Sequence, residues 1–209
     1  MHASSRLRPV VSAVVVSLLA LGACGAADGT LPAGARVRTI AGLSTTEAGT
    51  GDRWVVMLHG ASTSRSSFYP LFPELLAERL HVLAVDYDGS SDATSRVEQI
   101  VGAVQRLGAR TITLVGSSLG AGYALRAAEQ CCAAVVTFSA VEVVAVARPV
   151  FSIASRHDGG TASIARRIVD GSGKGSSLIV GGSVHGVDLI DDRPALRREV
   201  ARWIRGIDR

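Results

Sequence analysis

The stretch LVGSSLGAGYAL, residues 114–125, sets two adjacent serines between glycines where an apolar run rich in β-branched residues gives way to one rich in Ala and Leu. Only one frame of the pattern G-x-S-x-G fits it, Gly116-Ser117-Ser118-Leu119-Gly120, and that frame makes Ser118 the central serine. The context predicts a strand ending at the first glycine and a helix from Ala121 to about Gln130. A turn that tight forces unusual backbone angles on the serine, and the neighbouring glycines let strand and helix approach each other. The turn would therefore present the Ser118 hydroxyl at the carboxyl edge of a sheet. A serine at this place also reads as a plain helix N-cap, so the rest of the chain has to decide.

Outward from this turn, six apolar runs of strand length cover residues 54–60, 81–87, 111–116, 133–140, 149–155 and 176–182. They are continuously apolar rather than alternating, as expected of parallel strands covered on both faces. Helix-like segments separate them. In residues 91–108, Val97, Ile100, Val101, Val104 and Leu107 make a helical stripe; in residues 192–206, Leu196, Val200, Trp203 and Ile204 share one face, with Pro194 near the start. Alternating strand and helix predict a single α/β domain built on a doubly wound, mainly parallel sheet, with VRTI at 37–40 as an added edge strand.

The 209 residues carry 22 basic and 18 acidic side chains. Arg6 and Arg8 lie in a leader, and without them the excess is about +2, which is no nucleic-acid footprint. That leader has a charged start, an apolar run from Val10 to Leu21 and a small-residue ending, the features of a secretory signal too short to span a bilayer comfortably. Leu21-Gly22-Ala23-Cys24 resembles the bacterial lipobox, in which the chain is cut before a cysteine that then carries diacylglycerol. The expected organisation is a signal peptide over 1–23, an anchor and linker over 24–36 and the folded domain over 37–209. Acylation of Cys24 would tether the protein outside the cytoplasmic membrane. The two remaining cysteines, Cys131 and Cys132, read as buried thiols at a helix end, with a strained vicinal disulfide as the alternative. No Cys/His spacing suggests a metal site.

Further motifs make residues 54–204 resemble the α/β-hydrolase family. VVMLHG ends in His59-Gly60, like the family's HG turn after its third strand, with Phe68 near where an aromatic commonly follows. HVLAVDYDGSSD looks like the next strand and its aspartate turn, although the usual arginine and second glycine are missing. RPVFSIASRHD resembles the strand that delivers the acid, here Asp158, and IVGGSVHGVDL the last strand and histidine loop, here His185. The order Ser118, Asp158, His185 is the family order. The resemblance implies an acyl-enzyme mechanism with Ser118 as nucleophile, His185 as base and Asp158 as its orienting carboxylate. It also implies an oxyanion hole from the backbone N–H groups of Leu119 and Ala61, Ser62 being the neighbour if the turn is offset by one. No cofactor is expected.

Several alternatives stay open at this point. Glu142 competes for the role of the acid, His157 could rival His185, and His59 reads as part of the HG turn rather than a base. Asp188 reads as loop and Tyr123 as packing. The arginines at 193, 197, 198, 202 and 205 read as a solvated face, with contact to anionic lipid as the alternative. Only residues 141–148 separate two predicted strands where relatives often insert a helical lid. An open, lidless site favours small or polar esters, or esters on a surface polymer, over long acyl chains, with thioesters and amides also open. The competing function is a catalytically silent extracytoplasmic binding lipoprotein on the same fold.

Overall fold

The computed structural model describes residues 29–87 and 93–207. The leader, including Cys24, lies outside them, as do residues 88–92 of the connection after the second predicted strand. Eight strands form one sheet in the order β1-β2-β4-β3-β5-β6-β7-β8. β3 (Arg53–Leu58), β4 (His81–Val85), β5 (Thr111–Ser117), β6 (Ala134–Phe138), β7 (Val150–Ser155) and β8 (Gly175–Val180) run parallel and correspond to the six apolar runs. β1 (Arg36–Ile40) and β2 (Leu43–Ala48) add an antiparallel hairpin at one edge, with β2 also antiparallel to β4. The sheet is therefore mixed, as the edge strand expected at 37–40 is joined by a second strand that the sequence did not announce.

Successive side chains of a strand point to opposite faces, and this divides the core in two. Val56, Leu58, Leu83, Val85 and Leu114 face α2 (Ala93–Arg106) and α3 (Leu119–Cys131). Val55, Met57, Val82, Ala84 and Val115 face α1 (Phe72–Ala77) and α5 (Pro194–Gly206). α4 (Thr161–Ser172) packs on β7 and β8 through Ala154, Ala162 and Ala165. Burial on both faces explains the unbroken hydrophobicity of the central strands.

Two details depart from the sequence reading. Leu107 is exposed rather than part of the buried stripe. α2 ends at Arg106, and Gly108 at φ +101° turns the chain, which carries Leu107 off the helical face. Cys131 and Cys132 are joined by a disulfide rather than being two thiols. Cys131 closes α3 and Cys132 is already extended (φ −123°, ψ 152°), so the change of conformation at the helix end turns neighbouring sulfurs toward each other.

β4 and β5 lie on opposite sides of β3, so the chain winds outward in both directions from β3. Such a switch point opens a crevice at the carboxyl ends of the strands. The loops after β3 and β5 meet there. Between β6 and β7, residues 139–149 contain no helix, so no cap domain is inserted at that point.

Candidate active site

Ser118 joins β5 to α3 at φ +52° and ψ −115°, a conformation that side-chain-bearing residues rarely adopt. It costs about 1–3 kcal/mol and persists only where the surroundings enforce it. They do so here through the two glycines of the turn. A Cβ on Gly116 would run into the backbone of Ala121, and one on Gly120 would collide with the carbonyls of Leu58 and His59. Strand, turn and helix therefore close on one another tightly, and the Ser118 hydroxyl is left at the sheet edge.

The Ser118 Oγ lies 2.8 Å from His185 Nε2. His185 Nδ1 lies 2.9 Å from both carboxylate oxygens of Asp158. With the proton on Nδ1 donated to the carboxylate, Nε2 is left as an acceptor for the serine O–H, the arrangement a general base needs. Asp158 follows β7, and its side chain is 11% exposed, whereas that of His185 is 46% exposed. Thr161 Oγ1, in the first turn of α4, donates to the Asp158 carbonyl (2.8 Å) and lies 3.0 Å from Oδ2. Burial works to raise the pKa of the Asp158 carboxyl, but the Ser139 hydroxyl, His185 and Thr161 outweigh it and hold the group below its ordinary value. Ser139 is buried just past β6 at φ +46°, and its Oγ stands near the carboxylate without completing a full hydrogen bond.

On the opposite side of the nucleophile, Gly60 packs so closely that a Cβ there would come within 3.3 Å of Ser118 Cβ. Its N–H donates to Thr63 Oγ1 (3.0 Å) and its carbonyl accepts from the Thr63 N–H (3.4 Å), which makes residues 60–63 a tight turn beside the serine. The Ala61 N–H takes no part in those bonds. Leu119 is the first residue of α3, so its N–H is one of the donors that a helix start leaves without an internal partner. The turn is held from below by Arg65, whose backbone N–H and guanidinium both reach the Asp86 carboxylate and whose Nε donates to Thr46 Oγ1 (2.9 Å). An arginine thus meets the aspartate that follows β4, supplied from an unexpected point in the chain.

The competing residues are placed elsewhere. His59 is buried, donates from Nδ1 to the Gly60 carbonyl (2.7 Å), accepts at Nε2 from the Tyr87 N–H (3.4 Å) and stacks on the Tyr87 ring. Tyr87 in turn donates its hydroxyl to the His59 carbonyl and packs edge-on against Tyr123. Glu142 is paired with Arg126 on α3 (2.5 Å). His157 is exposed, and its backbone N–H binds the Gly182 carbonyl. Asp188 lies beyond His185 on the rim of a groove of about 370 Å³, which is also lined by Gly29, Thr63, Ser64 and Asp191. Burial and the nearby charges of Asp188 and Asp192 push the Asp191 carboxyl upward, against Arg197.

Sequence reasoning missed the supporting hydroxyls. Thr161 could have been suspected, since a threonine three residues past an aspartate commonly closes a turn onto it. Ser139 carries no such local signal.

Residues 55–207 match the family model described as the Alpha/beta hydrolase family. Among solved structures, a monoacylglycerol lipase of Paleococcus ferrophilus superposes with a TM-score of 0.68 at 16% identity, over 79% of this chain and 99% of that one. An esterase of Pyrococcus furiosus gives 0.69 at 16%, over 81% and 89%. A carboxylesterase of Bacillus subtilis gives 0.63 at 14%, over 79% and 90%. The structural likenesses are likenesses of fold, and the family match spans most of the sequence on which that fold is built. The chain belongs to the alpha/beta hydrolase family.

Proposed function

We propose that the protein is a serine hydrolase that cleaves carboxylic esters through an acyl-enzyme on Ser118. The observation that carries this reading is one continuous hydrogen-bonded line, Ser118 Oγ to His185 Nε2 (2.8 Å) and His185 Nδ1 to Asp158 (2.9 Å), built on a serine held in a strained turn. A binding protein has no use for that line.

In this mechanism Ser118 Oγ attacks the ester carbonyl carbon as its proton passes to His185 Nε2. The imidazolium is stabilised by the Asp158 carboxylate, whose ionised form is favoured by the hydrogen bonds and the imidazole around it. The Leu119 and Ala61 N–H groups are assigned as the donors to the developing oxyanion. Collapse expels the alcohol with the proton returned from His185, and water then attacks the acyl-enzyme along the same route in reverse. With no helix inserted between β6 and β7 and His185 half exposed, small or polar esters, or esters carried on a surface polymer, fit this site better than long acyl chains.

The leader motif extends the proposal to location: Cys24 carries the lipid that tethers the enzyme outside the cytoplasmic membrane. Replacing Cys24 by Ser should abolish lipid labelling and move the protein out of the membrane fraction. Retained labelling would remove the anchor from the proposal.

The function itself is tested with a fluorophosphonate probe followed by a panel of acetyl, butyryl, long-chain, thioester and amide substrates. Labelling of wild type but not of Ser118→Ala supports the hydrolase. A folded wild-type protein that takes no label and turns over none of the panel is a binding protein on this fold.

A further inference from the structure

We propose that Ser117 and Ser155 are positioning residues that grip the His185 loop from both sides and set the distance between base and nucleophile. The proposal rests on the hydrolase reading of Ser118, His185 and Asp158, but no part of that reading uses these two serines. Ser155 ends β7, is fully buried, and its Oγ donates to the carbonyl of Val184, the residue just before His185, at 2.7 Å. Ser117 ends β5, is 2% exposed, and its Oγ accepts from the N–H of Val187, two residues after His185, at 2.9 Å. The two bonds straddle the histidine.

Their importance follows from what else holds His185. β8 stops at Val180, and His185 itself is half exposed, in extended backbone at the start of a short 3-10 turn, Gly186–Ile190. The ring is therefore aimed by Asp158 and by the loop backbone rather than by enclosing apolar side chains. Gly186 brings that backbone down onto the nucleophile turn: it sits at φ +65°, and a Cβ there would lie 2.8 Å from Ser117 Oγ. A serine side chain is short, so a hydrogen bond from it draws the loop directly against the strand end. Removing either hydroxyl leaves a backbone group of the loop without its buried partner and frees that side of the loop.

The pairing also accounts for two serines in succession at the turn. Ser118 presents a hydroxyl outward to react, and Ser117 turns one inward to fix the residue that must deprotonate its neighbour.

The experiment compares Ser117→Ala, Ser155→Ala, the double variant and Ser117→Thr with wild type, using p-nitrophenyl acetate as substrate. Displacing a catalytic group by about 1 Å costs on the order of 10²-fold. Each alanine variant should lower kcat by about 10- to 100-fold with KM unchanged, and the threonine variant, which retains an acceptor, should recover most of the loss. The low-field proton resonance of the His185 Nδ1–H bound to Asp158 should broaden or vanish in the alanine variants while they remain folded. Unchanged kcat and an unchanged resonance in both alanine variants overturn the proposal, as does a loss of kcat that only matches a loss of folded protein. If wild type itself takes no fluorophosphonate label, the hydrolase reading fails separately, and the resonance comparison still decides whether the two serines hold the histidine.

Discussion

At the scale of single residues, the proposal for Ser118 and His185 makes them one device, and devices of this kind lose nearly everything with the first part removed. Ser118→Ala and His185→Ala should each lower turnover by on the order of 10⁴-fold or more, and the double variant should be little worse than either alone. Losses that multiply would show that the two act independently. Asp158→Asn should be far more damaging than Glu142→Gln, since the Asp158 carboxylate meets the imidazole and Glu142 is bound to Arg126. These candidate residues are legible in the sequence because each sits in a local pattern: the glycine-flanked serine, the acid nine residues past Pro149, the histidine beyond the last strand. Ser155 and Ser139 are not, because a lone serine at a strand end says nothing about which distant loop it will meet. Ser117 was in view throughout, but only as the residue beside the nucleophile.

At the scale of elements, the turn between β5 and α3 depends on the absence of two side chains. Gly120→Ala would drive a Cβ into the carbonyls of Leu58 and His59, which belong to the neighbouring strand and its HG turn and have nowhere to go. It should destabilise the protein by about 3 kcal/mol or more, at or beyond the upper end of ordinary overpacking. Gly122→Ala, two residues on, meets only the movable side chains of Glu142 and Arg126 and gains helix propensity of about 1 kcal/mol, so it should be neutral or stabilising in thermal unfolding.

β2 is the half of the edge hairpin that patterning missed. β2 reads LSTTEA, with three polar residues that end up fully or nearly fully buried, so it offers no apolar run by which a buried strand is recognised. Glu47 of β2 is 2% exposed and accepts from Arg38 (2.7 Å), His81 (2.8 Å) and Arg36 (3.4 Å). Burial acts to raise its pKa, but Arg38, His81 and Arg36 prevail, and the carboxyl is held below its ordinary value of 4.5. A group with a depressed folded pKa stabilises fully above its unfolded value, and that contribution disappears as pH falls from there through the folded value. Wild type should therefore lose part of its stability as pH drops below about 4.5. Glu47→Gln should be less stable at pH 7 by about 1–3 kcal/mol, the usual cost of an impaired buried hydrogen-bond partner, and its unfolding should vary less with pH in the acid range. An equal acid slope in the two proteins would place the pH response elsewhere.

At the scale of the whole molecule, α-helices cover both faces of the sheet and, among the described residues, none is inserted between β6 and β7, which supports the proposed reading of Ser118 at an open rim. Substrate methylenes at such a rim would touch protein on one side and recover only part of the roughly 0.8 kcal/mol that full burial of a CH₂ provides. Saturation kinetics without a jump at the solubility limit are expected, with kcat/KM highest on acetyl and butyryl esters and falling toward C12. A steady rise with chain length would call for an apolar channel at this rim.

The groove beside the site has a consequence for the proposed lipid anchor. Gly29 lines it together with Thr63 and Asp188, so the chain enters the fold on the same rim as Ser118 and only then runs back to the far end of the sheet to begin β1 at Arg36. Gly29 is five residues on from Cys24, and a chain of that length stretches to about 18 Å at most. With the proposed lipid on Cys24 in the outer leaflet, the protein would be moored by the lip of its candidate active site. Its working zone would then be a thin layer against the headgroups, and an ester two protein diameters out into the cell wall would be beyond its reach.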